Sequence, residues 1–305
     1  MVSCVFVKCV VPKDAAADEL RVKPHTKVRL RDWDTAWAGT KELRHLKGDQ
    51  LKQEAREILQ RNLQRLSEAQ DLLWASDQYA LLFVLQGMDA AGKDGLIKHV
   101  MSGVNPQGCE VTSFKRPTDE DLQHSFLWRC TRHLPARGRI GIFNRSYYED
   151  VLVVRVHPEW LERQHLKPGR SLWRQRYEDI NNFERHLTRN RTVIRKFFLH
   201  VSRKEQKRRL LERLDNPAKH WKFSESDLAE RAYWNDYMEA FEDALSATST
   251  KHAPWYIIPA DDKWVARALV SEILADAICD LDLEFPQPTQ EQLAGIRKAK
   301  RLLEA

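Results

Sequence analysis

Tyr79-Ala-Leu-Leu-Phe-Val-Leu-Gln86, followed without a break by Gly87-Met-Asp-Ala-Ala-Gly-Lys-Asp94, is the stretch on which the fold turns. Its first half is an unbroken apolar run, the pattern of a strand covered on both faces in a parallel sheet. Its second half matches G-x-x-x-x-G-K, and a helical pattern follows it from Gly95 to Val104. Strand, glycine-rich turn and helix are the context in which this motif binds phosphate; otherwise it is a connecting turn with a surface lysine. Gly87 and Gly92 let the backbone, with Met88, Ala90 and Ala91, turn its N–H groups around an anion. The helix that follows points its positive end at the phosphate, and Lys93 supplies a point charge.

Two positions depart from the usual loop. Asp94 stands where a Ser or Thr normally ligates the metal, and Asp89 places a carboxylate inside the loop. A carboxylate beside phosphates is repelled unless a cation intervenes or it has a proton to handle. Asp89 is therefore expected to ligate Mg²⁺ or to orient the attacking oxygen; facing solvent or capping the next turn is the plainer alternative. Asp94 can equally be an acidic residue favouring a first helical turn.

Working outward, further strand candidates are Cys109 to Phe114, Arg139 to Phe143, Val193 to Val201 and Trp255 to Ile258. Helical stretches separate them: Asp119 to His133, Ser171 to Arg189, Arg203 to Leu214, Ser226 to Leu245 and Lys263 to Leu281. Before the first strand, Leu51, Ala55, Ile58, Leu59, Leu63, Leu66, Ala69 and Leu73 recur at helical spacing within Asp49 to Trp74. Alternation of this kind implies βαβ units, hence an α/β fold with a five-stranded parallel sheet sandwiched by helices. The expected organisation is an N-terminal extension over 1–45, one domain over 46–285 with a lid at about 202–248, and a tail over 286–305.

Ligands bind at the carboxyl ends of strands in such sheets. The third strand ends in Asn144-Arg-Ser-Tyr-Tyr-Glu-Asp150. Arg145 can grip a phosphate, and Glu149 can supply a second metal-binding carboxylate where Asn144 replaces the expected one. The alternative is an ion pair of Arg145 with Glu149 or Asp150. Packing is the expected role of Tyr147 and Tyr148. Lys115 and Arg116 follow the second strand and could hold a phosphate or simply line a solvated loop. The helix after the fourth strand, Arg203 to Arg213, carries six basic residues against two acidic ones. Lys204, Lys207 and Arg208 share one face there, either a solvated surface or part of a lid closing over reacting phosphates. Downstream aromatics, Trp221, Phe223, Tyr233, Trp234 and Tyr237, are expected mostly to pack the lid.

The whole chain has 305 residues, 42% apolar and 31% charged, with 50 Lys plus Arg against 44 Asp plus Glu, a net charge of +6. This excludes a disordered or collagen-like chain and, without a long apolar run, a membrane span. The basic excess points to an anionic partner. Five cysteines without a C-x-x-C pair suggest a reduced, cytoplasmic protein rather than a disulfide scaffold, and the eleven histidines show no zinc-type spacing. Met1 to Val11 reads as a disordered or strand-like extension rather than a signal peptide.

The run from Leu85 through Gly108 and the segment Ile142-Phe-Asn-Arg-Ser-Tyr-Tyr-Glu-Asp-Val-Leu-Val-Val-Arg-Val-His157 resemble the two motifs of the polyphosphate kinase 2 family, in the form of members that phosphorylate both AMP and ADP. The resemblance spans about residues 22 to 285. It implies a P-loop kinase fold like that of thymidylate kinases, Mg²⁺, inorganic polyphosphate as donor, adenine or guanine nucleotides as acceptors, and a dimer or tetramer. It makes Asp89, Lys93, Arg145 and Arg208 the catalytic candidates, with Lys204 in the lid motif. It implies neither a nucleic-acid nor a membrane partner. Two other readings share the generic features: an ATP-dependent nucleoside monophosphate kinase, and a non-catalytic module binding nucleic acid through the basic helix.

Overall fold

The computed structural model describes residues 15–36, 46, 48–222 and 224–305. The Met1 to Val11 segment and Phe223 lie outside these. Five strands form one parallel sheet: β1 (Ala80–Gly87), β2 (Cys109–Ser113), β3 (Ile140–Asn144), β4 (Thr192–His200) and β5 (Trp255–Pro259), in the order β2-β3-β1-β4-β5. The reading of β1 as covered on both faces holds, since Ala80 to Gln86 are all buried. Strand order reverses around β1, with Leu85 paired to Asn144 on one side and Gly87 to Leu199 on the other. The loop after β1 and the turn after β3 thus emerge side by side, at the switch point where such sheets bind ligands.

The longer helices are α1 (Gly48–Ser76), α2 (Lys93–Val100), α3 (Arg170–Arg189), α4 (Arg203–Asp215), α5 (Glu225–Ala232), α6 (Trp234–Thr248), α7 (Lys263–Cys279) and α8 (Gln290–Leu303). α1 packs along α7, burying Ala55, Leu59, Leu63, Leu66, Ala69 and Leu73 of the expected stripe. Asn62 within that stripe is also buried, where its amide donates to the Ala268 carbonyl at 3.3 Å.

Two expected helices are broken. Asp119 to His133 divides into single turns at Asp119–Leu122 and Trp128–Thr131. A capping box between Thr118 and Asp121 starts the first turn, and the His124 ring stacks on Trp128 at 3.9 Å between the two. Ser226 to Leu245 breaks at Tyr233, whose ring meets His157 at 4.9 Å.

The polar stretch after Leu20 is partly integrated: Val22, Val28 and Leu30 are buried. Val22 N–H donates to the Trp255 carbonyl at 2.9 Å, and Arg21 bridges Tyr256, covering the outer edge of β5. Among the described residues, Cys109 and Cys130 are free thiols. Among the described residues no helix is long and apolar enough to cross a membrane.

Candidate active site

The phosphate loop joins β1 to α2. Ala90 (φ 59°) and Gly92 (φ 108°) both adopt left-handed backbone. For alanine this costs about 1–2 kcal/mol, so surrounding bonds must hold it. Ala91 N–H donates to the Met88 carbonyl at 3.1 Å, and Lys93 Nζ donates to the carbonyls of Gly87 at 2.6 Å and Met88 at 3.1 Å. Burial, and secondarily the Arg145 charge, lower the Lys93 pKa below its ordinary value. A phosphate would act in the opposite sense by favouring the ammonium form.

β3 delivers its polar end against this loop. Arg145 has left-handed backbone (φ 65°), and its guanidinium donates to Asp89 Oδ1 at 2.7 Å and Glu149 Oε2 at 3.5 Å. Those two carboxylates hold Arg145 firmly protonated, Glu149 contributing most. Asn144 Nδ2 donates to Asp94 Oδ1 at 2.8 Å, while the buried Asn144 Oδ1 has no hydrogen-bond partner.

Glu149 sits on the single 3-10 turn Tyr147–Val151, capped by Ser146, and buried tyrosines anchor that turn. Both Tyr147 and Tyr148 donate to Glu184 Oε1 at 2.9 Å. Lys196, wholly buried on β4, donates to Glu184 Oε2 at 2.6 Å and to the Thr248 carbonyl at 2.7 Å. The tyrosines therefore do pack, and they also tie the Arg145–Glu149 segment to β4 and α3.

Two cavities meet here. The first, about 560 Å³, is lined by Asp89, Arg145 and Glu149 together with Trp160, Tyr237 and Phe241. The second, about 920 Å³, runs along the loop and α2 to Arg209, Lys219, Lys263 and Arg267. Asp89, Lys115, Arg116, Arg145 and Asp227 line both. Lys115 and Arg116 thus lie at the site, and the Arg116 guanidinium stacks over Trp160 at 4.6 Å. Gly87 and Met88 border the first cavity, Asp94 and Asn144 the second.

Of the two readings of the basic helix, the Lys204, Lys207 and Arg208 face is here a solvated surface. Lys204, Lys207 and Arg208 are exposed and line neither cavity, and Arg208 pairs with Glu205 at 2.7 Å and Glu212 at 3.3 Å. Arg209 is the residue turned toward the loop, with Arg213 one turn further on. Lys263 and Arg267 stand outside any motif or charge run of the sequence. Applying the strand-end rule to β5 would have found them, since α7 begins just beyond it.

The side chains here that could hold a cation offer only oxygens: Asp89 and Glu149, which share Arg145, and the unpartnered Asn144 Oδ1 beside the larger cavity. No cluster of three or more His, Cys, Asp or Glu suited to a metal exists among the described residues. Such a set suits a hard divalent cation whose remaining ligands are phosphate oxygens and water.

A glycine-rich loop at the switch point of a parallel sheet, a basic helix bonded to that loop and paired cavities define a phosphate-loop kinase. More narrowly, the chain belongs to the polyphosphate kinase 2 family, whose sequence model matches residues 48–286. It is 54% identical over 242 residues to an ADP-polyphosphate phosphotransferase of Rhodopseudomonas palustris, covering 78% of this chain and 84% of that one. It is 46% identical over 272 residues to an AMP/ADP-polyphosphate phosphotransferase of Meiothermus ruber, covering 88% and 95%. The crystal structure of polyphosphate kinase 2 from Arthrobacter aurescens TC1 superposes with a TM-score of 0.85 at 40% identity, over 96% of this chain and 98% of that one.

Proposed function

We infer that this enzyme transfers the terminal phosphoryl group of inorganic polyphosphate to a nucleotide. The observation that carries the reading is the meeting of two unlike cavities at Asp89 and Arg145. The smaller one, with Trp160, Tyr237 and Phe241, suits a nucleoside presenting its phosphate inward. The larger one continues past the loop to Lys219, Lys263 and Arg267, adding cations beyond those of the loop itself. That extension supports a polymer donor over ATP. A purely nucleic-acid-binding role gives the two carboxylates against Arg145 no work, whereas in phosphoryl transfer they would hold the cation that offsets phosphate charge.

The transfer needs positioning and charge neutralisation more than covalent help. An oxygen of the acceptor's terminal phosphate attacks the terminal phosphorus of the chain. A new P–O bond forms, the bridging P–O bond behind it breaks, and the shortened chain leaves with that electron pair. Loop N–H groups and Lys93 hold the donor end. Arg145, at the junction of the cavities, faces the group in transit, and Asp89 fixes the guanidinium and orients the incoming oxygen. Asp89 and Glu149 would hold Mg²⁺ together with phosphate oxygens, and the ion would neutralise chain charge.

The same proposal takes AMP and ADP, and by extension guanine nucleotides, as acceptors, in a reversible reaction. It places the moving lid at about 202–248 on a catalytic unit of residues 46–285. Its setting is a cytoplasmic dimer or tetramer, which sedimentation would test. Supplying AMP with either ATP or long-chain polyphosphate as sole donor separates this reading from an ordinary monophosphate kinase. Turnover with ATP alone would overturn it.

A further inference from the structure

We propose that Arg209 and Gln206 are positioning residues that hold the phosphate loop in its anion-binding shape from the α4 side, Arg209 at the edge of the larger cavity but with all its donors spent on protein acceptors. A guanidinium has five N–H donors. Arg209 places one on Glu205 Oε1 at 2.7 Å, two on the carbonyls of Ala90 at 3.2 Å and Ala91 at 2.7 Å, and two on the carbonyls of Ala260 and Asp261. Every donor is used, and all but one go to backbone carbonyls. Gln206, one turn earlier and buried with Arg209, adds a bond from Nε2 to the Asp89 carbonyl at 3.0 Å. Three successive loop carbonyls are thus held by one helix.

The consequence follows from peptide geometry. In a planar trans peptide the C=O and the next residue's N–H point in opposite directions. Drawing the carbonyls of Asp89 and Ala91 toward α4 turns the N–H groups of Ala90 and Gly92 away from it. Among the described residues, neither of these N–H groups donates to a protein acceptor. An N–H left open in this way beside the larger cavity is what an anion site requires. The carbonyl of Ala90, whose left-handed backbone is otherwise unfavourable, is gripped by the same side chain. The clamp, which lies at the start of the proposed lid, is tied onward to α5: Arg231 donates to Gln206 Oε1 and to the Arg203 carbonyl at 3.0 Å.

The test has two arms, because the inference rests on the phosphotransferase reading while its structural part does not. In hydrogen exchange on the free full-length protein, Arg209→Lys should accelerate exchange about tenfold in peptides covering 87–95, the equivalent of losing one or two hydrogen bonds. Peptides from α1 and α7 should be unchanged. In turnover with polyphosphate and ADP, Arg209→Lys and Arg209→Met should fall alike, on the order of 10²-fold in kcat with KM for ADP within about threefold, as expected for a misplaced cradle. A lysine keeps the charge but cannot span five acceptors, so equal losses separate clamping from charge. Unchanged exchange at 87–95 would overturn the proposal. So would near-normal turnover by Arg209→Lys beside an inactive Arg209→Met, which would mean that the charge meets phosphate directly. If the arginine variants do not fold, Gln206→Leu removes the Asp89 grip, together with the Arg231 contact at Oε1, and should give the same local exchange change at 87–95 with a smaller kinetic loss. Failure of the wild-type protein to use polyphosphate would sink the functional reading alone, leaving the exchange arm to judge the clamp.

Discussion

Replacing Lys196 by methionine removes the cation from the buried network behind the active-site turn, at nearly constant side-chain length. Glu184 Oε1 keeps both tyrosine hydroxyls, but Oε2 loses the ammonium at 2.6 Å, with no solvent to replace it. Removing one member of a fully buried pair costs about 3–5 kcal/mol. At about 2–4 °C per kcal/mol, Tm should fall by roughly 6–20 °C. The loss should depend on pH with a definite sign. Burial already holds the Glu184 carboxyl above its ordinary 4.5, and Lys196 pulls it back. Without Lys196 it rises further, so the folded state keeps a proton that the unfolded chain releases, and stability falls as pH climbs through that window. The deficit should therefore be small near pH 5 and grow toward the point, about 8, where burial leaves Lys196 itself titrating in the wild type. Lys196→Met combined with Glu184→Gln removes both charges while an amide oxygen still accepts from the tyrosines. That pair should recover most of the Tm and, because the network carries Arg145 and Glu149, most of the turnover. Differential scanning calorimetry across this pH range decides it. A deficit below about 1 kcal/mol at the alkaline end, or one that does not change with pH, refutes the reasoning.

Asp89→Ala and Lys93→Ala should each abolish ATP formation from polyphosphate and ADP while circular dichroism and Tm stay near wild type; normal turnover by Asp89→Ala removes its assigned role. Lys263→Ala with Arg267→Ala should raise KM for long-chain polyphosphate about tenfold and flatten its salt dependence, with KM for ADP little changed, because both line only the larger cavity. Trp160→Ala should show the reverse, weakening ADP binding by about 1–3 kcal/mol in calorimetric titration, since it lines only the smaller one.

What the chain reveals by itself is whatever is local. The loop is contiguous, so its glycines, Lys93 and flanking strand are legible together, and β1 announces its burial by unbroken apolar residues. Arg145 and Glu149 are legible because a polar cluster ends an apolar strand. Orientation around a helix is not local in this sense. Arg208 and Arg209 differ by about 100° on α4, and charge counting favours the exposed face while the buried one touches the loop. The break at Tyr233 depends on His157, far away in sequence, and the integration of Val22 depends on the edge of β5. The pairing of Lys196 with Glu184 joins a strand to a helix and leaves no pattern along the chain.

The most direct test of the account is to follow the phosphorus. With polyphosphate carrying ¹⁸O in its non-bridging oxygens, unlabelled ADP and Mg²⁺, the purified protein should form ATP whose terminal phosphoryl group alone carries the label, as read by mass spectrometry. Unlabelled ATP, or none without a nucleoside triphosphate donor, would contradict transfer from the chain held in the larger cavity to a nucleotide in the smaller.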